Sequence, residues 1–241
     1  MDFVHLLRYH LSLLRRSVCD LPQRRKAIGT MSLESEIHRG VASYYTQKIR
    51  EHGATARGVD WNSEASQTLR FEQLLRVANG AAEFSLNEIG CGYGALVDHL
   101  RRGGSKFRYH GVDLSADMVA AAQVRHGEAP GVSFAVGAAP DAARDYCVAS
   151  GIFNVRLETS DADWLSYVLA TLDTMHQYSV LGFAFNALTL YSDADRMRPD
   201  LYYADPLRLF DHCKRFYSRN VALLHDYGLY EFTILVRKNV P

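Results

Sequence analysis

The feature that most constrains the fold is a glycine-rich turn in the stretch LNEIGCGYGALVDHL, residues 86–100. Gly90, Gly92 and Gly94 stand at every second position, between a strand-like apolar run and a helix-like run. Glycine has no Cβ, so it tolerates positive φ angles and lets a ligand approach the backbone closely. The stretch therefore predicts a strand–turn–helix unit that binds a nucleotide or a related molecule.

Strand-like and helix-like segments alternate on both sides of this turn. The strands are predicted at 84–89, 107–113, 131–136, 145–153 and 180–188, with helices between most of them. Near-continuous apolar strands separated by helices indicate a parallel sheet that is covered on both faces. Residues 220–238 predict two further strands around a tight turn at Tyr227 and Gly228, which adds one antiparallel strand to an α/β sheet.

Three regions are predicted along the chain. Residues 1–30 form a basic N-terminal extension, either disordered or an amphipathic helix, because Arg8 and His10 interrupt the apolar centre that a signal peptide needs. Residues 31–80 form an N-terminal helical cap. Residues 81–241 form the ligand-binding domain, in which the polar, tyrosine-bearing insertion 189–205 is expected to act as a lid.

Composition excludes several classes of partner. The formal net charge is zero, so bulk electrostatics attract neither DNA nor an anionic membrane surface. No apolar run reaches the length of about 20 residues that a membrane span needs, so no stable membrane insertion is expected. The four cysteines are scattered without a paired spacing, which indicates reduced thiols in a cytoplasmic protein and no metal site. Nothing in the sequence supports a particular oligomeric state.

An acid closes the second predicted strand. Asp113 lies 19 residues beyond Gly94, at the end of FRYHGVD. A carboxylate at this position accepts two hydrogen bonds from ribose hydroxyls. The pair of features therefore predicts a nucleoside at the site and leaves open whether a phosphate accompanies it.

Glu88, the three glycines and the following DLSADM resemble the class I S-adenosylmethionine-dependent methyltransferases over about residues 62–238. The resemblance implies a Rossmann-like, seven-stranded mixed sheet with helices on both faces and an antiparallel C-terminal hairpin strand. It also implies S-adenosyl-L-methionine as cofactor and S-adenosyl-L-homocysteine as product. One departure is the sequence Gly137-Ala138-Ala139, where that family often has an acid for the adenine amino group.

Electrostatics separates this cofactor from a dinucleotide. A pyrophosphate is an anion that a helix N-terminus favours, and Glu88 would repel it. A sulfonium and an ammonium are cations, which a nearby carboxylate attracts. The predicted cofactor contacts are Arg70, as a clamp for the cofactor's carboxylate, together with Glu88, Gly90, Cys91, Gly92, Asp113, Leu114, Met118, Ser150 and Gly151.

The acceptor side is predicted from residues beyond the fourth strand and from aromatic residues. Asn154 offers a donor and an acceptor that would orient a hydroxyl or an amine. His176 and His225 are candidate general bases. The predicted acceptor contacts are Tyr45, Trp61, Phe153, Asn154, Tyr191, Tyr202 and Tyr203, which suit a small aromatic or apolar molecule.

The function favoured by these residues is methyl transfer to an oxygen or nitrogen of a small metabolite. The stretch after strand four, ASGIFN, lacks the Asn/Asp-Pro-Pro-aromatic motif by which methyltransferases of DNA amines and glutamine amides resemble one another. A methyltransferase of tRNA or protein, a nicotinamide-dependent oxidoreductase and a non-catalytic cofactor-binding protein are the alternatives.

Overall fold

The computed structural model of the protein describes residues 32–238, so the predicted extension at 1–30 lies outside the described residues. Helices and strands alternate along this part of the chain. The helices are α1 (Leu33–His52), α2 (Glu64–Leu75), α3 (Ala95–Arg102), α4 (Ala116–His126), α5 (Asp161–Gln177) and α6 (Pro206–Phe216). The strands are β1 (Glu83–Ile89), β2 (Lys106–Asp113), β3 (Val132–Val136), β4 (Arg144–Ala149), β5 (Ser179–Leu188), β6 (Asn220–Leu224) and β7 (Glu231–Arg237).

These strands form one sheet in the order β3-β2-β1-β4-β5-β7-β6. Strands β1 to β5 run parallel to one another, and β7 runs antiparallel to both β5 and β6. The predicted Rossmann-like mixed sheet is confirmed. The strand order reverses between β1 and β4, and a parallel sheet binds its ligands beyond the carboxyl ends of the strands at such a reversal.

Alternate residues of the strands pack on opposite faces of the sheet. In β4, Cys147 and Ala149 join an apolar cluster with α5 and α6, whereas Tyr146 and Val148 join a second cluster with α2 and α3. This alternation follows from the two-residue period of a strand. Helices therefore cover both faces of the sheet and hold in place the strand ends that carry the glycine turn. Among the helices of residues 32–238, none combines the length and apolar character needed to cross a bilayer.

Strand β4 is shorter than the sequence predicts. The prediction placed the strand over 145–153, but it ends at Ala149 and the chain turns at Gly151, whose φ is +73°. The apolar residues that follow are not strand residues: Phe153 is fully buried in the core, against the Phe185 ring. An apolar run that continues from a strand into a buried turn has the same composition as a longer strand, which explains the error.

Candidate functional site

The glycine turn connects β1 to α3 at the point where the strand order reverses. The backbone N–H groups of Gly90 and Cys91 both donate to the Val112 carbonyl of β2, at 2.8 and 3.0 Å. Gly90 has a φ of +74°, and a Cβ at this position would overlap the Ile152 side chain. Both facts require glycine, since other residues are strained at this φ and too large for the space.

Asp113 at the end of β2 is held by two backbone donors. The Gly92 N–H donates to one carboxylate oxygen at 2.9 Å, and the Ser115 N–H donates to the other at 2.8 Å. Burial raises the pKa of this carboxyl, and the two N–H bonds oppose the rise. A carboxylate oxygen accepts more than one hydrogen bond, so each oxygen retains capacity for a ligand hydroxyl. The geometry fits the two hydroxyls of a ribose.

Glu88 is the acid directly before the turn, and its side chain is almost fully buried, with 2% of the residue exposed. The Tyr109 hydroxyl donates a hydrogen bond to it. The pKa of Glu88 is raised to about 8, mainly by burial, with a smaller contribution from the charge of Asp113 and against the opposing effect of the Tyr109 bond. Glu88 is therefore mostly neutral at pH 7 until a cation comes close enough to favour its charged form.

A large cavity, here called the first cavity, lies over Glu88, the glycine turn and Asp113. It encloses about 1130 Å³ of empty space, part of which is open to solvent. Leu114, Met118 and the segment Gly137–Ala139 line it on one side, and Ser150 lines it at the end of β4. The buried Ser150 hydroxyl has no hydrogen-bond partner among residues 32–238, so a donor or acceptor of a ligand is free to pair with it.

Trp61 lies between the first cavity and a neighbouring cavity. A Cβ at Gly151 would overlap the Trp61 ring, so the ring lies directly on the turn after β4. Tyr45, Val59 and Trp61 line both cavities. The neighbouring space, here called the second cavity, encloses about 950 Å³, again partly open. Its polar lining consists of Asp60, Asn62, Arg70, Asn154, Ser192, Arg196, Arg198, Tyr203, Tyr230 and Glu231.

Arg70 lies on α2 and forms a bidentate ion pair with Glu231 at the start of β7. Its Nε donates to Oε2 at 2.8 Å and its Nη2 donates to Oε1 at 2.7 Å. Both side chains are buried, with 8% and 1% exposed, and the Arg70 guanidinium stacks 3.8 Å from the Trp61 ring centroid. The third nitrogen, Nη1, has no hydrogen-bond partner within residues 32–238. Arg70 borders the second cavity.

Asn154 is buried at the floor of the second cavity. Its Oδ1 accepts a hydrogen bond from the Leu188 N–H at the end of β5, at 3.0 Å. This bond fixes the orientation of the amide, which leaves the Nδ2 group as a donor for a ligand. Nearby, Asn186 of β5 accepts from the Gly151 N–H at 2.6 Å and holds the turn after β4 in place.

The other predicted acceptor residues are only partly brought together. Tyr45, Trp61 and Tyr203 line the second cavity. Phe153 and Tyr202 belong instead to the core cluster, because their apolar rings are buried against β5 and neighbouring residues. Tyr191 is 60% exposed, and its ring centroid lies 6.0 Å from that of His225.

The structure brings neither predicted general base to a cavity. His176 is in the last turn of α5, next to the start of β5, and its ring stacks on Tyr217. The amino end of a parallel strand faces away from the edge that carries the glycine turn, so His176 lies on the wrong side of the sheet for this role. His225 is exposed after β6 and borders neither cavity. Within residues 32–238, no three histidine, cysteine, aspartate or glutamate side chains are grouped as metal ligands.

Three groups at the site were not predicted from the sequence. Glu231 comes from β7, and Asp60 and Arg198 line the second cavity as an ion pair, with Arg198 Nη1 3.8 Å from the Asp60 carboxylate. Asp60 also accepts from the Tyr44 hydroxyl at 2.8 Å and pairs with Lys48 at 2.9 Å. No local motif marks these residues, because each acquires its partner through the tertiary fold.

Comparison with known proteins agrees with this architecture. A family model described as a methyltransferase domain matches residues 87–156. A Mycobacterium tuberculosis protein named "Putative methyltransferase Rv1506c" is 57% identical over 164 residues, which is 68% of this chain and 99% of that protein.

Solved structures share the fold at lower sequence identity. The complex of DhpI with S-adenosylhomocysteine (SAH) has a TM-score of 0.59 at 18% identity, over 85% of this chain and 98% of that one. Magnesium protoporphyrin IX methyltransferase from Synechocystis PCC 6803 has a TM-score of 0.60 at 14% identity, over 86% and 100% of the two chains. With the glycine turn, the two acids and the sheet order described above, the chain belongs to the class I S-adenosylmethionine-dependent methyltransferases.

Proposed function

We propose that this methyltransferase transfers a methyl group to an oxygen or nitrogen atom of a small metabolite that enters the second cavity while the cofactor occupies the first. The observation that carries the proposal is the shared wall: Tyr45, Val59 and Trp61 line both cavities. Group transfer requires that two bound molecules meet at a fixed distance and angle, and adjoining cavities on a rigid sheet edge supply that arrangement.

The residues of the first cavity fit the cofactor. Asp113 holds the ribose hydroxyls, Leu114 and Met118 contact the adenine, and Gly90, Cys91 and Gly92 keep the backbone open to it. Ser150, whose buried hydroxyl lacks a partner in the described chain, contacts the methionine portion. Gly151, the next residue, lines the second cavity and lies nearer to the acceptor. The bound cofactor supplies the methyl group on a positively charged sulfur. Glu88, buried below the turn, provides the carboxylate that stabilises positive charge there.

The acceptor is positioned from the opposite side. Asn154 donates through Nδ2 to the acceptor oxygen or nitrogen, since its Oδ1 is held by the Leu188 N–H. The acceptor's lone pair forms the bond to the methyl carbon while the carbon–sulfur bond breaks with its electrons left on sulfur, and the acceptor's proton passes to water at the open side of the second cavity. Alignment supplies much of the rate of such an in-line displacement, so a rigid donor in the cavity wall contributes without a histidine base.

The polar contacts of Asp60 in the wall of the second cavity favour a small acceptor over a macromolecule. Asp60, in the proposed cap at 31–80, forms an ion pair with Arg198, in the proposed lid at 189–205, and both residues line the cavity. Tyr44 and Lys48 of α1 hold the Asp60 carboxylate. A tRNA or protein acceptor would need these contacts to open along a whole face. Buried free thiols at Cys91, Cys147 and Cys213 support a reducing, cytoplasmic location.

The test separates cofactor from acceptor. Calorimetric titration with SAH and, separately, with NAD is expected to give micromolar binding of the first and none of the second. Methyl-labelled cofactor is then incubated with the protein and with size-fractionated cell extract. Label in the low-molecular-weight fraction supports a metabolite acceptor. Label in the RNA or protein fraction would refute the small-molecule proposal, and turnover in no fraction would favour a non-catalytic binding protein.

A further inference from the structure

Within the described chain, the second cavity has more unpaired hydrogen-bond donors than unpaired carboxylates. Its two carboxylates are already occupied: both Glu231 oxygens accept from Arg70, and the Asp60 oxygens are taken by Tyr44 and Lys48. Each acid is therefore already paired with a cation of the protein, Glu231 with Arg70 and Asp60 with Lys48.

Several donors of the same cavity remain unused. Arg70 Nη1 is buried without a partner, and Asn154 Nδ2 is left as a donor by the bond that fixes its amide. Arg196 lines the cavity from the short helix Ala194–Arg196 and has no carboxylate within ion-pair distance among residues 32–238. A buried donor that lacks a partner is unfavourable, so the cavity is suited to a ligand rich in acceptors.

The geometry of Arg70 specifies the kind of acceptor. A guanidinium has two edges that can grip a planar pair of oxygens, and Glu231 uses the edge formed by Nε and Nη2. The remaining edge, formed by Nη1 and the second N–H of Nη2, matches the spacing of a carboxylate or phosphate. The ion pair with Glu231 and the stacking on Trp61 hold this edge in place before a ligand arrives.

We propose that the methyl acceptor carries an oxyanion, a carboxylate or a phosphate, that is bound by the free edge of Arg70 with Asn154 and Arg196 as supporting donors. The inference rests on the proposed function, because it assigns the second cavity to the acceptor. It revises the expectation of a mainly apolar acceptor: Trp61, Tyr45 and Leu188 contact the apolar part, and the oxyanion fixes the orientation.

The cofactor also carries a carboxylate, so the oxyanion that Arg70 binds has two candidate sources, the acceptor and the cofactor. If Arg70 held that group, replacing Arg70 would weaken SAH but leave 5′-methylthioadenosine, which lacks the amino-acid portion, unchanged. If Arg70 holds the acceptor's oxyanion, both nucleosides keep their affinities within about twofold.

The experiment measures anion binding by the full chain, with and without saturating SAH, in a buffer free of other oxyanions. The probes are inorganic phosphate and acetate, with acetamide as the neutral match for acetate. Fluorescence of Trp61 reports the titration, because its ring contacts Arg70, whereas Trp164 is fully buried and donates to the Phe153 carbonyl. Phosphate and acetate are expected to bind saturably, and acetamide at least tenfold more weakly.

Variants locate the binding. Arg70→Gln with Glu231→Gln removes both charges of the buried pair together, which avoids an unpaired acid, and is expected to weaken anion binding at least tenfold. Arg196→Gln, at an exposed position, is expected to weaken it a few-fold. Arg102→Gln, at the exposed end of α3, is the control and should change nothing. Equal binding of acetate and acetamide, no saturable anion binding, or loss of SAH affinity in the Arg70 variant would overturn the inference. If the unaltered protein does not bind SAH, the proposed function is refuted instead.

Discussion

We expect Glu88 to make cofactor binding dependent on pH. Burial raises the pKa of Glu88 to about 8, so the carboxyl carries a proton in most molecules of the free protein at pH 7. A ligand ammonium group in the first cavity favours the ionised carboxylate and lowers this pKa. We therefore expect SAH binding to release most of one proton per site at pH 7.

The affinity should change accordingly. Below the pKa of the free protein, ionising Glu88 has to precede or accompany binding, so the association constant rises with pH. The expected slope approaches tenfold per pH unit between pH 6 and pH 7 and flattens above pH 8. The change corresponds to about 1.4 kcal/mol per pH unit.

Calorimetry at pH 7 in two buffers of different ionisation enthalpy measures the released proton directly. Glu88→Gln should abolish the difference between buffers, whereas Glu83→Gln, at the exposed start of the same strand, should preserve it. A wild-type protein whose SAH affinity and binding enthalpy depend on neither pH nor buffer would refute the reasoning, because it would show that the protonation of Glu88 does not change on binding.

The same carboxyl affects stability with a defined sign. Its folded pKa lies above the unfolded value of 4.5, so its stabilising contribution is complete below pH 4.5 and is lost as the pH rises towards 8. Without ligand, the stability of wild type relative to Glu88→Gln should therefore fall between pH 5 and pH 8. Denaturant unfolding at the two pH values measures this, and an unchanged difference would contradict the buried, neutral acid.

Three further changes test the geometry of the site. Asp113→Ala should weaken SAH at least about 100-fold, the loss of two charge-assisted hydrogen bonds, with an unchanged circular dichroism spectrum; unchanged calorimetric affinity would remove Asp113 from the site. Asn154→Asp keeps the acceptor for the Leu188 N–H but removes the Nδ2 donor, so turnover of an identified acceptor should fall more than about tenfold while SAH affinity changes little; the reverse pattern would move Asn154 to the cofactor side. Gly151→Ala meets both a φ of +73° and the Trp61 ring, and should cost about 1–3 kcal/mol in denaturant unfolding and shift the tryptophan emission; an unaltered spectrum would show that the ring does not lie on the turn.

Local sequence patterns were sufficient to predict the glycine turn and the two acids that line the first cavity. The turn needs glycine for reasons of backbone geometry, and Glu88 and Asp113 lie at the ends of neighbouring parallel strands, so their positions follow from strand order alone. The antiparallel hairpin could also be predicted, because Tyr227 and Gly228 separate two strand-like runs by a short turn.

The acceptor side depends on tertiary contacts that no local pattern encodes. Arg70 and Glu231 are 161 residues apart in sequence, and their pairing decides which edge of the guanidinium remains free. Phe153 and Tyr202 are aromatic residues in the predicted region, but burial in the core decides their role. The sequence is sufficient to exclude His176, since the last turn of a helix that precedes a parallel strand lies at the opposite end of the sheet from the glycine turn.

The buried pair of Arg70 and Glu231 also has a consequence for the order of folding. Arg70 belongs to an early helix, and its counter-charge enters only with β7, the last strand in the described chain. A buried arginine without its acid costs about 3–5 kcal/mol, so α2 gains its full stability on the sheet only after β7 has been added. During synthesis, a chain that already contains the complete glycine turn should therefore remain incompetent to bind ligand until Glu231 has left the ribosome.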